Sequence, residues 1–229
     1  MDTVVLFVVI IALIAVAGLA GFFFWHRYTQ SEYYQKTSRP FMKTMLKKEY
    51  RDVHRLSLVL EKLPFDHEIL YHCPVPQTGD RITVIDCIIL STKGIYVIDN
   101  ENYCGGISGD EKHSQWRVEH RGRKGYLDNP IRKNQVRVSA LSRFLDIPGR
   151  SCKSIIAFHG NAALKHIRIK SPRIFVTRAR DLAIYFNSEK NKPDVLPPGD
   201  IYSYYGELRS LTRKWGDAKA CSGNETADM

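Results

Sequence analysis

From Thr3 to Trp25 the chain carries no charged side chain, and nearly every residue is Val, Ile, Leu, Ala, Phe or Gly. Those 23 residues make a helix of roughly 34 Å at about 1.5 Å per residue, slightly more than the ~30 Å hydrocarbon layer of a bilayer. Phe22, Phe23, Phe24, Trp25 and Tyr28 stand at its far end, where an aromatic belt is expected. Behind them come Arg27, Lys36, Arg39, Lys43, Lys47 and Lys48, against a lone Asp2 in front. The positive-inside rule then predicts Met1 outside and the bulk of the chain in the cytoplasm. A cleaved signal peptide is the alternative. It fits less well: there is no basic n-region, the apolar run exceeds the usual ~7–15 residues, and Ala15-Val16-Ala17 lies inside the run.

About 204 residues remain, enough for one domain with a real core. All 34 Lys and Arg and 23 of the 24 acids follow Trp25, so this part carries +11 and favours anionic partners such as nucleic acid or a lipid surface. Cys73, Cys87, Cys104, Cys152 and Cys221 show no CxxC or CxxH spacing. An odd, scattered set argues against a disulfide scaffold and a structural zinc site, and suits a reducing compartment. The histidines show neither HxH nor HExxH spacing, which gives zinc chemistry no support. A hydrophobic share of 44% excludes a wholly disordered protein. The expected organisation is a transmembrane helix over 1–25, a basic juxtamembrane linker over 26–40, a domain over 41–215 and a disordered polar tail over 216–229.

Within the domain, Met42, Met45, Leu46, Tyr50, Val53, Leu56, Leu60 and Leu63 follow helical spacing, which predicts one helix ended by Pro64. Strands are expected at 68–75, 81–90 and 95–99, the last two joined by the hairpin loop Ser91–Gly94. Cys104 to Gly109 reads as a glycine-rich loop, with no Walker lysine after it to make a nucleotide cradle. A helix follows from Pro130 to Leu145 with Asn129 as N-cap, then strands at 154–158 and 173–176 and helices at 178–186 and 198–213. This order predicts an α/β fold with a mixed central sheet flanked by helices.

Two carboxylates stand out. Asp86 lies in an apolar strand run, Val84-Ile85 before it and Cys87-Ile88-Ile89 after, while Asp99 closes the next strand. The intervening hairpin makes these strands antiparallel neighbours, so both acids can meet at one sheet edge. A carboxylate in such a run is costly to bury unless paired, hydrogen-bonded or bound to a cation, and two close together raise one another's pKa unless a metal neutralises them. The bland alternative is that Asp86 faces solvent or pairs with Arg or Lys. Cys87, beside it, reads as a small core side chain rather than a nucleophile.

The stretch TVIDCIILSTKGIYVIDNENYCGGISG (Thr83 to Gly109) resembles the core of the nuclease-related, or NERD, domain. So do LEKLP (Leu60 to Pro64), NPIRKN (Asn129 to Asn134) and the strand SIIAF, a likeness over roughly residues 42–160. The resemblance implies the restriction-endonuclease-like PD-(D/E)xK fold, in which two acids bind Mg²⁺ and a Lys helps activate the attacking water. Carried over, Asp86 and Asp99 are the metal ligands, and Asp99 stands where the family usually has Glu. The Lys position is Glu101. The helical acid falls at Val53 and is missing, or is displaced one turn to Glu49. The family's Gln is Lys133, and its customary His after the Asp is Cys87.

Two functions follow. In one, the site of Asp86, Asp99 and Glu101 is active, Glu101 serves as base or extra ligand, and Lys133 supplies the missing cation. In the other, the domain keeps the fold but has lost cleavage, and binds nucleic acid or a protein partner at the membrane. Arg117 to Lys124, with Trp116 and Tyr126 nearby, reads either as a phosphate-contacting stretch through Arg121, Arg123 and Lys124 or as a solvated loop.

Overall fold

The computed structural model describes residues 3–222 except Asp80, with side chains up to residue 215. The chain divides into two compact units, residues 1–54 and 55–229.

The first unit opens with α1 (Thr3–Thr29), whose apolar side chains are exposed along its length. It is long and apolar enough to cross a membrane. The expected linker is ordered. Ser31 caps α2 (Glu32–Thr37) by accepting from the Tyr34 N–H, and Ser38 ends that helix in the left-handed region. The helix expected over 41–63 is two. Lys47 is extended and separates α3 (Phe41–Leu46) from α4 (Lys48–Leu60), which runs across the unit boundary. Tyr28 and Tyr33 are buried, and Tyr28 packs edge-on against Tyr34, Phe41 and His54.

The second unit is built on a five-stranded sheet. β1 (His67–Pro76), β2 (Ile82–Ser91) and β3 (Gly94–Asn102) form an antiparallel meander in which Ser91 pairs with Gly94 across a two-residue turn. Gly94, at φ +128, takes a backbone conformation that side-chain-bearing residues rarely adopt.

A second, smaller sheet follows, beginning where the sequence reads as a glycine-rich loop. It consists of β4 (Gly105–Asp110), β5 (Gln115–His120) and β6 (Arg123–Asp128), later joined by β8. Its Ile107, Trp116 and Leu127 face inward onto Ile131 and Phe158. Gly109 is required by space: a Cβ there would lie 2.2 Å from the Trp116 ring.

Helix α5 (Pro130–Phe144) then leads to β7 (Cys152–His159), which pairs parallel with β3. The chain crosses to the small sheet again for β8 (Ala162–Arg168), parallel to β4, and returns for β9 (Ile174–Arg178), parallel to β7. Strand order in the main sheet is β1-β2-β3-β7-β9. Helices α6 (Leu182–Glu189) and α7 (Pro198–Ser222) complete the fold, and α7 continues past Arg213, where it was expected to stop. Residues 223–229 of the expected tail lie outside the described residues.

One face of the main sheet buries Leu70, Ile88, Leu90, Ile95 and Val97 against Ala140 and Leu141 of α5 and Ile201 and Leu208 of α7. These side chains are nearly or wholly removed from water. At roughly 25 cal/mol per Å², each Leu, Ile and Val among them contributes about 1.5–3 kcal/mol, so this layer fixes where α5 lies on β3. The expected α/β architecture is present: a mixed central sheet flanked by helices and preceded by a long apolar helix.

Candidate functional site

The site forms where the β2–β3 ladder ends. Its last pair is Cys87 with Ile98, and continuing the register one step sets Asp86 opposite Asp99. There the backbone pairing stops. The Asn100 N–H instead donates to Asp86 Oδ2 at 2.9 Å. On the other side of β2, the residue whose register falls opposite Asp86 is His72, a non-glycine held at φ +50. Backbone strain of that kind persists where the surroundings enforce it, and it marks this end of the sheet.

Asp99 and Glu101 alternate on β3 and so share a face. That face meets α5, whose Lys133 and Arg137 lie one helical turn apart. Arg137 places one guanidinium nitrogen 2.6 Å from Asp99 Oδ1 and donates through Nε to the Val84 carbonyl at 3.1 Å. Lys133 Nζ lies 2.9 Å from Glu101 Oε1 and 3.7 Å from Asp99 Oδ1. The structure thus brings Asp86, Asp99, Glu101 and Lys133 to one place, as the sequence predicts. Arg137 was missed, although its spacing from Lys133 in a helix with a known inward face was the available signal.

Both asparagines of the NPIRKN stretch hold α5 in position. Asn129 accepts from the Ile131 N–H and donates to the carbonyls of Asp110, Glu111 and His113. Asn134, fully buried, donates at 2.9 Å to both the Val97 carbonyl and Ser154 Oγ, which ties the helix to β3 and β7. Lys133 and Arg137 are therefore delivered to the acids by a helix pinned at both its start and its second turn.

The electrostatics are strained. Burial, then the Asp99 charge, pushes the Asp86 carboxyl up to about 6 despite Arg137, the Asn100 N–H and Lys133. Burial and Asp99 likewise raise Glu101, against the pull of Lys133. Burial works against the Lys133 ammonium, but Asp99 and Glu101 outweigh it and hold its proton more tightly. Asp99 is fully buried, and its Oδ2 has no hydrogen-bond partner among the described residues.

That orphaned oxygen, together with an Asp86 carboxyl that burial and the Asp99 charge keep from ionising readily, is compatible with a hard divalent cation. Mg²⁺ is typically held by one or two carboxylates with water and phosphate filling the remainder. Among the described residues no three His, Cys, Asp or Glu side chains converge as a metal-ligating group. A divalent ion would therefore find at most two carboxylates here, Asp86 and Asp99, since Glu101 is engaged by Lys133.

The other sequence candidates lie elsewhere. Arg121 occupies the β5–β6 turn at φ +50, with Arg123 and Lys124 opening β6, all exposed. The six residues of β6 put roughly 20 Å of strand between that tip and the start of α5. Trp116 faces the core and is 1% exposed, so it is no stacking surface, whereas Tyr126 is exposed. Cys87 is buried among strand residues as expected of an inert side chain. Glu49, the alternative position for the otherwise missing helical acid, is exposed on α4.

Residues 47–159 match the family model of the nuclease-related domain. Over 127 residues the chain is 29% identical to an uncharacterized protein of Bacillus anthracis, a stretch covering 54% of this chain and 58% of that protein. The match thus spans little more than half of the relative's length. No solved structure matches.

Proposed function

Because residues 47–159 carry a nuclease-related domain, we propose that this protein hydrolyses phosphodiester bonds in nucleic acid with a divalent metal ion, Mg²⁺ being the first candidate. The observation that carries this reading is Lys133. Its Nζ, 2.9 Å from Glu101, returns a cation to the place beside the acids where the family pattern has a Lys and this chain has Glu101. The charge has moved from strand to helix while the site keeps it.

Asp86 and Asp99 would hold the metal. A divalent ion there supplies Lewis-acid stabilisation of the negative charge that develops on the phosphate. Lys133 orients a phosphate oxygen or the attacking water through its remaining N–H donors. Glu101, its carboxyl raised by burial, takes the proton that the water loses as the new P–O bond forms, while the P–O bond to the departing nucleotide breaks and its oxygen is protonated from solvent. Asn129 and Asn134 hold the register of α5 on which this depends. Metal binding requires Asp86 ionised, so affinity falls as pH drops through about 6.

Arg137 favours a second reading. Its guanidinium occupies Asp99 Oδ1, an oxygen that a metal ion would share, and in a degenerate domain it would replace the metal permanently. The protein would then bind nucleic acid or a protein partner without cleaving it.

In either case α1 is proposed as a single-pass anchor with Met1 outside and the domain, residues 41–215, in the cytoplasm. A reporter fused after Met229 should then be cytoplasmic. The functional test is cleavage of labelled DNA and RNA by the full-length chain in detergent with Mg²⁺ or Mn²⁺. Asp86→Ala is the control. Metal-dependent cleavage lost in the variant supports the enzyme; binding without cleavage in the native chain supports the second reading.

A further inference from the structure

Within the first unit, α3 turns the wrong way for a helix of a soluble protein. Thr44 is fully buried, and its Oγ1 shares a 2.7 Å hydrogen bond with the Tyr28 hydroxyl, which also donates to the Arg39 carbonyl. At 100° per residue, Met42 and Leu46 point about 160–200° away from Thr44. They are 61% and 74% exposed, an apolar pair opposite the face that packs. Lys43 lies beside them on α3, and Lys47 and Lys48 follow directly after it, all exposed, with Lys47 Nζ also 5.7 Å from the Tyr50 ring.

We infer that α3 is a lipid contact, in which Met42 and Leu46 enter the boundary between headgroups and acyl chains while the three lysines meet anionic headgroups. This rests on the reading of α1 as a membrane span. Tyr28 lies one turn beyond Trp25, at the headgroup end of α1, and its hydroxyl holds Thr44 directly. The pinned face of α3 is therefore one side chain's length from that level. An apolar pair accompanied by lysines is the composition of interfacial helices, which bury a shallow apolar face and draw affinity from anionic lipid. A protein partner would account for Met42 and Leu46 but not for the three exposed cations that accompany them. Long lysine stems also reach the headgroups while their apolar carbons stay in the boundary.

The test uses the full-length chain with Cys104→Ser and Cys221→Ser, reconstituted in phosphatidylcholine vesicles with and without phosphatidylglycerol. A nitroxide is placed singly at Leu13→Cys, Leu46→Cys or Gln115→Cys. Collision with oxygen is compared with collision with a water-soluble nickel complex. The expected result is a deep reading at 13, an interfacial one at 46 that favours oxygen, and an aqueous one at 115. The reading at 46 should deepen with phosphatidylglycerol, and Lys43→Gln, Lys47→Gln and Lys48→Gln together should reverse that deepening. A deep reading at 13 with water access at 46 overturns the lipid contact and leaves the anchor standing. Shielding of 46 from both reagents overturns it in favour of a protein cover, from this chain or a second copy. An aqueous reading at 13 removes the anchor and the lipid contact together.

Discussion

A buried carboxylate group stands at each end of β3, one of them contributed by α6, and the two are satisfied in opposite ways. At its start, Glu189 of α6 is 1% exposed yet accepts from the Tyr96 hydroxyl at 3.0 Å and from Lys192 at 2.5 Å, and pairs with Lys153. Those partners outweigh its burial and hold its carboxyl below the usual range. At the other end, Asp86 is pushed up to about 6, Glu101 is raised, and Asp99 keeps a buried oxygen unpartnered. One cluster satisfies its charge within the chain. The other leaves a buried carboxylate oxygen unpartnered among the described residues, which is why the second is proposed as the functional site and the first is read as a clamp between α6 and the sheet.

The largest expected effect attacks the unsatisfied end. Asp99→Asn, whose amide oxygen can still accept from Arg137, should reduce metal-dependent cleavage to background while leaving the thermal unfolding temperature near that of the native protein, measured side by side. A large fall in stability instead would make Asp99 a structural ion-pair partner of Arg137. Next comes the satisfied end. Glu189→Ala leaves the Lys153 and Lys192 charges without their acid and should cost about 3 kcal/mol by denaturant titration, with cleavage per folded molecule unchanged.

A smaller effect of opposite sign comes from Asp86→Asn. Between about pH 4 and 6 the folded chain holds a proton on Asp86 that the unfolded chain has released, so stability falls as pH rises through that window. The amide keeps an acceptor for the Asn100 N–H and removes the desolvated charge. The variant should therefore be more stable than the native chain at pH 8, by on the order of 1 kcal/mol after solvent screening, and the gain should vanish near pH 4. A gain that is constant with pH would mean that Asp86 does not titrate there. The smallest effect avoids both clusters. Changing Arg121, Arg123 and Lys124 together to Ala should leave cleavage chemistry intact. It should flatten the slope of log K against log salt by up to about 3, at roughly 0.9 per phosphate contact.

The main sheet was legible because β2 and β3 are apolar runs closed by a short turn, and the register of that hairpin sets Asp86 against Asp99. The small sheet was not. Gly105 to Asp110 and the charged hairpin after it show little of the alternation that marks a half-buried strand, because Gly109 gives its place to the Trp116 ring. Trp116 itself, next to a run of cations, reads as surface and is core. The sequence offered Lys133 as a candidate replacement cation, and α5 does set it beside Glu101, whereas Arg137 depended on where α5 lies on β3. The Glu189 cluster joins residues far apart in sequence, and no local pattern announces it. In the first unit, the extended Lys47 breaks a helical period that the apolar spacing alone carries straight through.

The central claim is that Lys133 replaces, from α5, the cation absent at Glu101. It is tested most directly by single-turnover cleavage of labelled DNA and RNA with saturating Mn²⁺, comparing the native full-length chain with Lys133→Met. The native chain should cleave, and the variant should cleave about 10²–10³-fold more slowly with substrate affinity nearly unchanged, as for loss of a positioned donor to developing charge. Equal cleavage by both proteins, or none by the native chain under conditions where it binds the substrate, would contradict the account.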